Sequence, residues 1–322
     1  MLANTTVADQ QSRLPIAAAH IAILMGTKNG ARFLVDQLKS IADQTHVNWS
    51  LFVSDDGSTD ETKEIIARFA RGLPQTVTVR HGPENDVSAN FLSLAADPSI
   101  DADYFAFSDQ DDVWSPDKLA RAVNCLMTVP HDVPGLYCGR TELMTADGKS
   151  YGLSPLFTRA PAFQNALVQS LGGGNTMVFN RAAKKLLEDV GRIEVVLHDW
   201  WLYQLVSAAG GAVRYDPQPA VKYRQHQHSL IGSNLGWRAR FVRIRMIFSG
   251  RLRDWNATNI AALERVPNHL IKPQNRRALT LFAKATNATL LQRLMYYKQS
   301  GVYRQTMLDN IGLFIAVIIK RL

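Results

Sequence analysis

A mostly parallel α/β sheet flanked by helices is the fold the sequence predicts, and three observations over the first 130 residues predict it. Short apolar runs, sized as buried strands, alternate with helical patterns. Each run closes on a polar turn. Two of those turns are dense in carboxylates: Asp55-Asp56-Gly57-Ser58-Thr59-Asp60 and Ser108-Asp109-Gln110-Asp111-Asp112-Val113-Trp114. Ligands of open α/β sheets bind beyond the carboxyl ends of the strands, where both acidic turns fall.

His20 to Met25 is the first strand, ending at the turn Thr27-Lys28-Asn29-Gly30, and Phe33, Leu34, Gln37, Leu38 and Ile41 follow at helical spacing. Trp49 to Ser54 is a second strand, entering the first acidic loop, and Ile65, Ile66 and Phe69 mark the helix beyond it. Thr76 to Arg80 alternates β-branched residues as a third strand. Asn90-Phe91-Leu92 lies in a helix, and Tyr104 to Phe107 runs into the second acidic loop. From 131 to 236 the elements shorten. Leu136 to Cys138 is apolar, and the flexible Gly172-Gly173-Gly174-Asn175 precedes the strand-like Thr176 to Phe179. One helix starts at Arg181, another at His198-Asp199-Trp200-Trp201, and Val221 to His228 alternates. The chain after 236 is helical in pattern. This divides it into a tail (1–19), a catalytic domain (20–236, with a nucleotide-binding part 20–130 and an acceptor part 131–236) and a basic helical C-terminal region (237–322).

With 322 residues and 46% apolar content, the chain can bury a real core. Cys125 and Cys138 form neither a disulfide framework nor a metal-ligand spacing, and are expected reduced in a cytosolic protein. Met1 to Leu14 has neither the basic start nor the apolar centre of an export signal. Ile311 to Ile319 is nine residues long, against about 20 for a membrane span. The net charge of +8 is unevenly placed: residues 1–236 carry −5, residues 237–322 carry +13. Such a basic region suits nucleic acid, an anionic membrane or a phosphorylated acceptor. Within it Trp237, Phe241, Ile244 and Phe248 form one stripe flanked by Arg238, Arg240, Arg243 and Arg245. That pattern fits an interfacial helix, and equally a helix packed on the catalytic domain with solvated arginines. No GxGxxG follows the first strand and no P-loop occurs, so dinucleotide and P-loop chemistry lose their main support. No RRM, KH or helix-turn-helix pattern accompanies the basic tail, so nucleic acid is not an expected partner.

Three carboxylates within four positions repel one another, and a divalent cation offsets that repulsion; Asp109 and Asp111 are hard oxygen ligands suited to Mg2+ or Mn2+. A cation there would hold a diphosphate and neutralise it as a leaving group. Asp55 and Asp56 are one carboxylate more than helix capping requires, and a carboxylate at a strand end can accept hydrogen bonds from a nucleobase or ribose. Asp199, beside His198 and two tryptophans, is either a helix N-cap or a partly desolvated general base. His226 and His228 alternate, so one faces the cleft, where it completes a metal shell or pairs with a phosphate.

Taken in order, Thr27-Lys28-Asn29-Gly30, Asp55 to Asp60, Asn90-Phe91, Ser108 to Trp114 with Pro116 and Lys118, Gly173-Gly174-Asn175-Thr176, His198-Asp199-Trp200-Trp201 and Tyr223-Arg224-Gln225-His226 resemble the inverting family 2 glycosyltransferases of GT-A fold, in particular the bacterial rhamnosyltransferase-like group. Gly301-Val302-Tyr303-Arg304-Gln305 and Asp309-Asn310 resemble the tail of that group. The resemblance implies that Asp56 contacts the nucleotide base, with Thr27 and Asn29 nearby. It makes Asp109 and Asp111 the DxD-type element that holds Mg2+ or Mn2+ and the diphosphate, turns Asp112 toward the sugar, makes Asp199 the base and sets His226 near the metal. It further implies a dTDP- or UDP-sugar donor, a glycan or lipid-linked acceptor, and a cytoplasmic enzyme touching the inner membrane peripherally through its basic C-terminal region. Lys28 stands where an aromatic residue is common. The QxxRW element of processive synthases is absent, so transfer of a single sugar is expected.

Overall fold

A computed structural model describes residues 18–225 and 250–322. His226, His228 and the 237–248 stripe lie outside the described residues. The first strands and helices follow the expected alternation: β1 (Ile21–Thr27), α1 (Ala31–Ala42), β2 (Trp49–Asp55), α2 (Thr62–Arg71), β3 (Val77–His81), α3 (Val87–Ala95) and β4 (Tyr104–Ser108). β1 pairs in parallel with β2 and β4, and β2 with β3. Thr27 is aligned with Asp55, and Met25 with Ser108. This register brings the turn after β1 and both acidic loops to one edge of the sheet.

The chain continues through β5 (Val113–Trp114), α4 (Lys118–Leu126), β6 (Gly135–Gly139), β7 (Glu142–Thr145), β8 (Ser150–Leu153), α5 (Phe163–Ala166), a 3-10 turn (Gly174–Thr176), β9 (Val178–Asn180), α6 (Arg181–Val190), α7 (His198–Ala208), β10 (Ala212–Asp216) and β11 (Val221–Gln225). The main sheet has seven strands in the order β10-β6-β9-β4-β1-β2-β3, and β9 runs antiparallel to both neighbours. A second sheet, β5-β11-β7-β8, sits beside it. The strands from β5 to β8 have two to five residues. Runs of two to four residues, as in β5, β7 and β8, are too short to show a period, so periodicity alone does not reveal the second sheet.

Central strands buried on both faces are apolar throughout, and here they feed two cores. Ile21, Ile23 and Met25 point to the core containing Leu34, Leu38, Ile41 and Leu119. Ala22 and Leu24, with Phe105, Phe107 and Phe179, point to the other core. That second core also takes α8 (Arg251–Arg265), α9 (Pro273–Asn287) and α11 (Met307–Ile318), through Ile260, Leu263, Leu279, Phe282, Leu313 and Val317. Between α9 and α11 runs α10 (Leu290–Ser300), which ends at Gly301 with φ +70°, a backbone conformation glycine adopts without strain. The segment after it ties the C-terminal helices to α5 and to the loops on either side of it. Asn165 Nδ2 donates to Tyr303 O at 3.0 Å, the Gln305 N–H to Gln169 Oε1 at 2.8 Å, and the Arg159 N–H to Gln305 Oε1 at 3.1 Å. No described helix is long and apolar enough to cross a membrane.

Because Phe282 is fully buried in the core shared with β4 and β9, Phe282→Ala should cost about 3–5 kcal/mol. Chemical denaturation should show that loss in one cooperative transition. Two separated transitions would mean that the C-terminal helices fold apart from the sheet.

Candidate functional site

Every loop at the carboxyl edge of β1, β2 and β4 is tied to another by side-chain to backbone bonds. The Thr27 hydroxyl donates to Asp55 Oδ1 at 3.1 Å, and Asp55 Oδ2 accepts the Ser58 N–H at 3.1 Å and lies 3.3 Å from Lys63 Nζ. Burial pushes the Asp55 carboxyl up, but these bonds outweigh it and hold it below the usual range. Asp55 therefore braces its loop from within. Asp56 Oδ1 accepts the Glu84 N–H at 2.6 Å, and Oδ2 is 3.7 Å from Lys28 Nζ. Gly82 packs against this carboxylate: a Cβ there would stand 2.7 Å from Asp56 Oδ1 and 2.9 Å from Asn90 Oδ1. Asn90 Nδ2 donates to Ser54 O at 3.1 Å, while its buried Oδ1 has no protein partner.

Asn29, with φ +49°, gives its N–H to Ser58 Oγ at 2.9 Å and accepts the Thr59 N–H on Oδ1 at 2.8 Å. Gln110 grips the same turn, accepting the Lys28 N–H at 3.0 Å and donating to Lys28 O at 3.1 Å. Its amide fills the space beside Gly30, where a Cβ would lie 2.2 Å from Oε1. The three loops that the sequence brings to one cleft are thus physically joined.

The second acidic loop divides its carboxylates. Asp109 and Asp111 are partly exposed, whereas Asp112 is fully buried. Asp112, expected to face the sugar, reaches no solvent. Its oxygens accept from Asn175 Nδ2 at 2.5 Å and from the Arg224 N–H at 3.1 Å. Burial and the Asp111 charge nevertheless push it up to about 7. Asp109 is raised well above the carboxylate range, by burial first and then by the charges of Asp112, Asp111 and Asp199. Arg224 reaches across the loop: Nε donates to Asp111 O at 2.8 Å, Nη1 to Ala146 O at 2.9 Å, and Nη2 pairs with Asp36 at 2.9 Å. Its guanidinium also lies 4.6 Å from the Phe33 ring centre. Lys118 is buried with its amine 3.6 Å from the Trp114 ring centre and no hydrogen-bond acceptor. Burial lowers it to about 7, against the pull of Asp112.

Asp199 opens α7 but is not its cap; Leu197 holds that position without a side-chain bond. The Asp199 carboxylate is fixed by the Gly174 N–H at 2.9 Å and the Trp200 N–H at 2.5 Å. Burial outweighs both bonds and raises it to about 6. His198 stacks on Phe91 with ring centres 4.1 Å apart, and burial lowers it to about 3, so the ring is neutral. Gly174 fits against it; a Cβ there would be 2.5 Å from Nε2.

Among the described residues no three His, Cys, Asp or Glu side chains converge as a metal-ligand group. The chemistry of the cluster nevertheless fits a divalent cation. Asp109 is a carboxylate whose neighbours all disfavour its charge, and Asp109 and Asp111 both reach the surface of the cleft. Mg2+ is commonly held by one or two carboxylates, with substrate phosphates and water completing the shell. Arg224, Asn175, Gln110 and Lys118 were not assigned roles from the sequence. Their signal was proximity to the motifs; the partners of Arg224, Asn175 and Gln110 lie tens of residues away along the chain, while Lys118 folds back on Trp114 four positions earlier.

Residues 22–187 match the sequence model of Glycosyl transferase family 2. The chain belongs to that family. With it the GT-A fold expected above is reached: a mostly parallel sheet flanked by helices. A dTDP-rhamnosyl transferase of Shigella flexneri, RfbG, is 30% identical over 238 residues, 69% of this chain and 78% of that protein. A putative teichuronic acid biosynthesis glycosyltransferase of Bacillus subtilis, TuaG, is 27% identical over 180 residues, 54% of this chain and 65% of that one. Among solved structures, S. aureus TarS 1-349 in complex with UDP-GlcNAc matches at TM-score 0.49 and 15% identity, covering 88% of this chain and 93% of that chain.

Arg224→Lys removes a planar fork that reaches three acceptors at once. Thermal melts should show a drop of about 2–4 °C for each kcal/mol lost in a chain of this size. An unchanged melting temperature would show that the acidic loop stands without the fork.

Proposed function

We propose that this glycosyltransferase moves one sugar from a nucleotide-diphosphate donor to a hydroxyl of a glycan or lipid-linked acceptor, with inversion. The process would be bacterial surface polysaccharide assembly, at the cytoplasmic face of the inner membrane. The single observation that carries the reading is Asp199: a buried carboxylate, fixed by two backbone N–H groups, with its proton affinity raised to about 6. A base near that value is ionised at neutral pH yet takes a proton readily as the transition state forms. The similarity to a dTDP-rhamnosyl transferase favours a dTDP-linked deoxyhexose over a UDP-hexose.

In this mechanism Asp56, with Thr27 and Asn29 beside it, receives the base and ribose. The orphan Oδ1 of Asn90 lies close to the same carboxylate and offers a further acceptor. Asp109 and Asp111, with His226, would hold Mg2+ or Mn2+, which when bound supplies positive charge to the departing diphosphate. Asp112 acts as a buried strut that joins the acidic loop to Asn175 and β11, and so fixes where Asp109 and Asp111 stand. Asp199 takes the proton from the acceptor hydroxyl. That oxygen attacks the anomeric carbon from the face opposite the nucleotide, which inverts the configuration.

Asp199→Asn keeps the shape but cannot accept the proton. Transfer should fall about 10²–10⁴-fold while calorimetry shows donor binding unchanged; normal turnover would remove Asp199 as the base. Only the ionised form of Asp199 is active, and its raised pKa places the acidic limb near 6. Hence kcat/KM should be full above that value and lost as the pH falls through it. Asp111→Ala should abolish Mn2+-dependent nucleotide binding in the same calorimeter, and retained Mn2+-dependent binding would end its assignment as a ligand.

A further inference from the structure

The outer side of α11 is inverted relative to an ordinary surface helix. Met307, Leu308, Ile311, Phe314, Ile315, Ile318 and Ile319 are all exposed, from 39% at Ile319 to 81% at Met307. At helical spacing they fill one continuous arc, and no charged residue falls inside it. The opposite side holds Leu313, Ala316 and Val317 in the core. The helix is properly begun, with the Thr306 hydroxyl accepting the Asp309 N–H at 3.1 Å. Its far end is tied to α10, where Arg293 Nη1 donates to Val317 O at 2.8 Å. That bond carries the patch onward, because α10 exposes Leu290, Leu291 and Met295 close to Arg293 in its own sequence. Contiguous exposed apolar surface on this scale marks an interaction site.

Charge selects the occupant. Residues 250–322 carry 12 Lys and Arg against three Asp and Glu. Lys298 and Lys320 are exposed, the first on α10 and the second directly after Ile319. Of the three acidic residues only Asp309 lies on α11, and its carboxylate is half-buried and accepts the Thr306 hydroxyl at 2.8 Å. Lysines with apolar stems beside an apolar face suit the interface of an anionic bilayer. A second copy would bring two such basic regions together, which repel. Twelve residues of helix extend about 18 Å, too short to cross a hydrocarbon core about 30 Å thick. The helix would lie in the membrane plane.

We propose that the exposed face of α11, extended by Leu290, Leu291 and Met295 of α10, docks on an anionic lipid bilayer. It deepens the transferase reading by naming the surface that meets the membrane, and it rests on that reading for its purpose. The membrane role thereby attaches to 290–319, a stretch whose apolar end the sequence only excluded as a span.

Cosedimentation of the full chain with phosphatidylcholine vesicles, with and without phosphatidylglycerol, tests it. The wild type should bind the phosphatidylglycerol vesicles, less well at high salt. The double variant Leu308→Glu/Ile315→Glu should bind at least tenfold more weakly. Both side chains are exposed, so the circular-dichroism melt should not move; Val47→Glu, at an exposed residue elsewhere, should bind as the wild type does. Equal binding by the double variant overturns the proposal. So does a wild-type dimer that the double variant breaks, with no vesicle binding by either. Donor hydrolysis measured on the same preparations separates the two readings. A protein that hydrolyses donor but ignores vesicles defeats the docking surface alone. One that binds vesicles through this face without turning over any nucleotide sugar defeats the transferase reading alone.

Discussion

Mutual repulsion among Asp109, Asp111, Asp112 and Asp199 is the constraint around which this molecule is built. Burial takes away the water that would screen them, and the result is visible in two proton affinities: Asp112 rises to about 7 through burial and the Asp111 charge, and Asp109 rises through burial and the charges of Asp112, Asp111 and Asp199. Left alone, a loop with such charges would swing into solvent. It is kept in place by groups that come from outside it: Asn175, the Arg224 backbone and side chain, and Gln37 of α1, whose Nε2 lies 2.8 Å from Ser108 Oγ. With its amide turned the other way, Gln37 also reaches Asp112 O at 2.8 Å and Trp114 Nε1 at 3.2 Å. The stability invested in these contacts maintains an arrangement of like charges that opposes itself.

The second sheet has its purpose in that arrangement. β11 pairs with β5 immediately after the acidic loop and with β7 on its other side. Arg224 is the fourth of the five residues of β11, so the same strand that joins the small sheet delivers the guanidinium to Asp111 O and Ala146 O. A hydrogen-bonded donor of fixed charge and planar shape is needed there, because a flexible ammonium would not satisfy three separated acceptors.

Much of the fold was legible because β1, β2 and β4 are apolar runs that stop abruptly at Thr27, Asp55 and Ser108. Their parallel order follows from the helices between them. Asp109 and Asp111 were legible for the same reason, as charges placed at the end of a buried strand. Asp199 was ambiguous between a cap and a base; the backbone at Leu197 takes the cap position and the N–H of Gly174 fixes the carboxylate instead, and neither is a property of local sequence. The roles of Arg224 and Asn175 were out of reach. Each meets the acidic loop through tertiary contact, and Arg224 lies 113 positions from Asp111. The orientation of Asp112 failed to show for the opposite reason: adjacent carboxylates look alike in a sequence, and only the inward pull of Asn175 distinguishes one.

The shared core of the sheet and the C-terminal helices bears on how the chain is made. Phe105, Phe107 and Phe179 lie on the same side as Phe282, Leu313 and Val317. On that side α3, α6 and α7 already cover the strands, and α9 packs outside them, where Asn275 Nδ2 donates to Ser207 O and Ala208 O at 3.0 Å. A ribosome releases α9 and α11 last, so this outer layer closes late, and a truncated product would expose the apolar side chains it covers. The turns at 27–30 and 55–60, by contrast, are joined by bonds among residues 27 to 62 and can form early. The acidic loop settles only once Asn175 and Arg224 have been made, still ahead of α9 and α11.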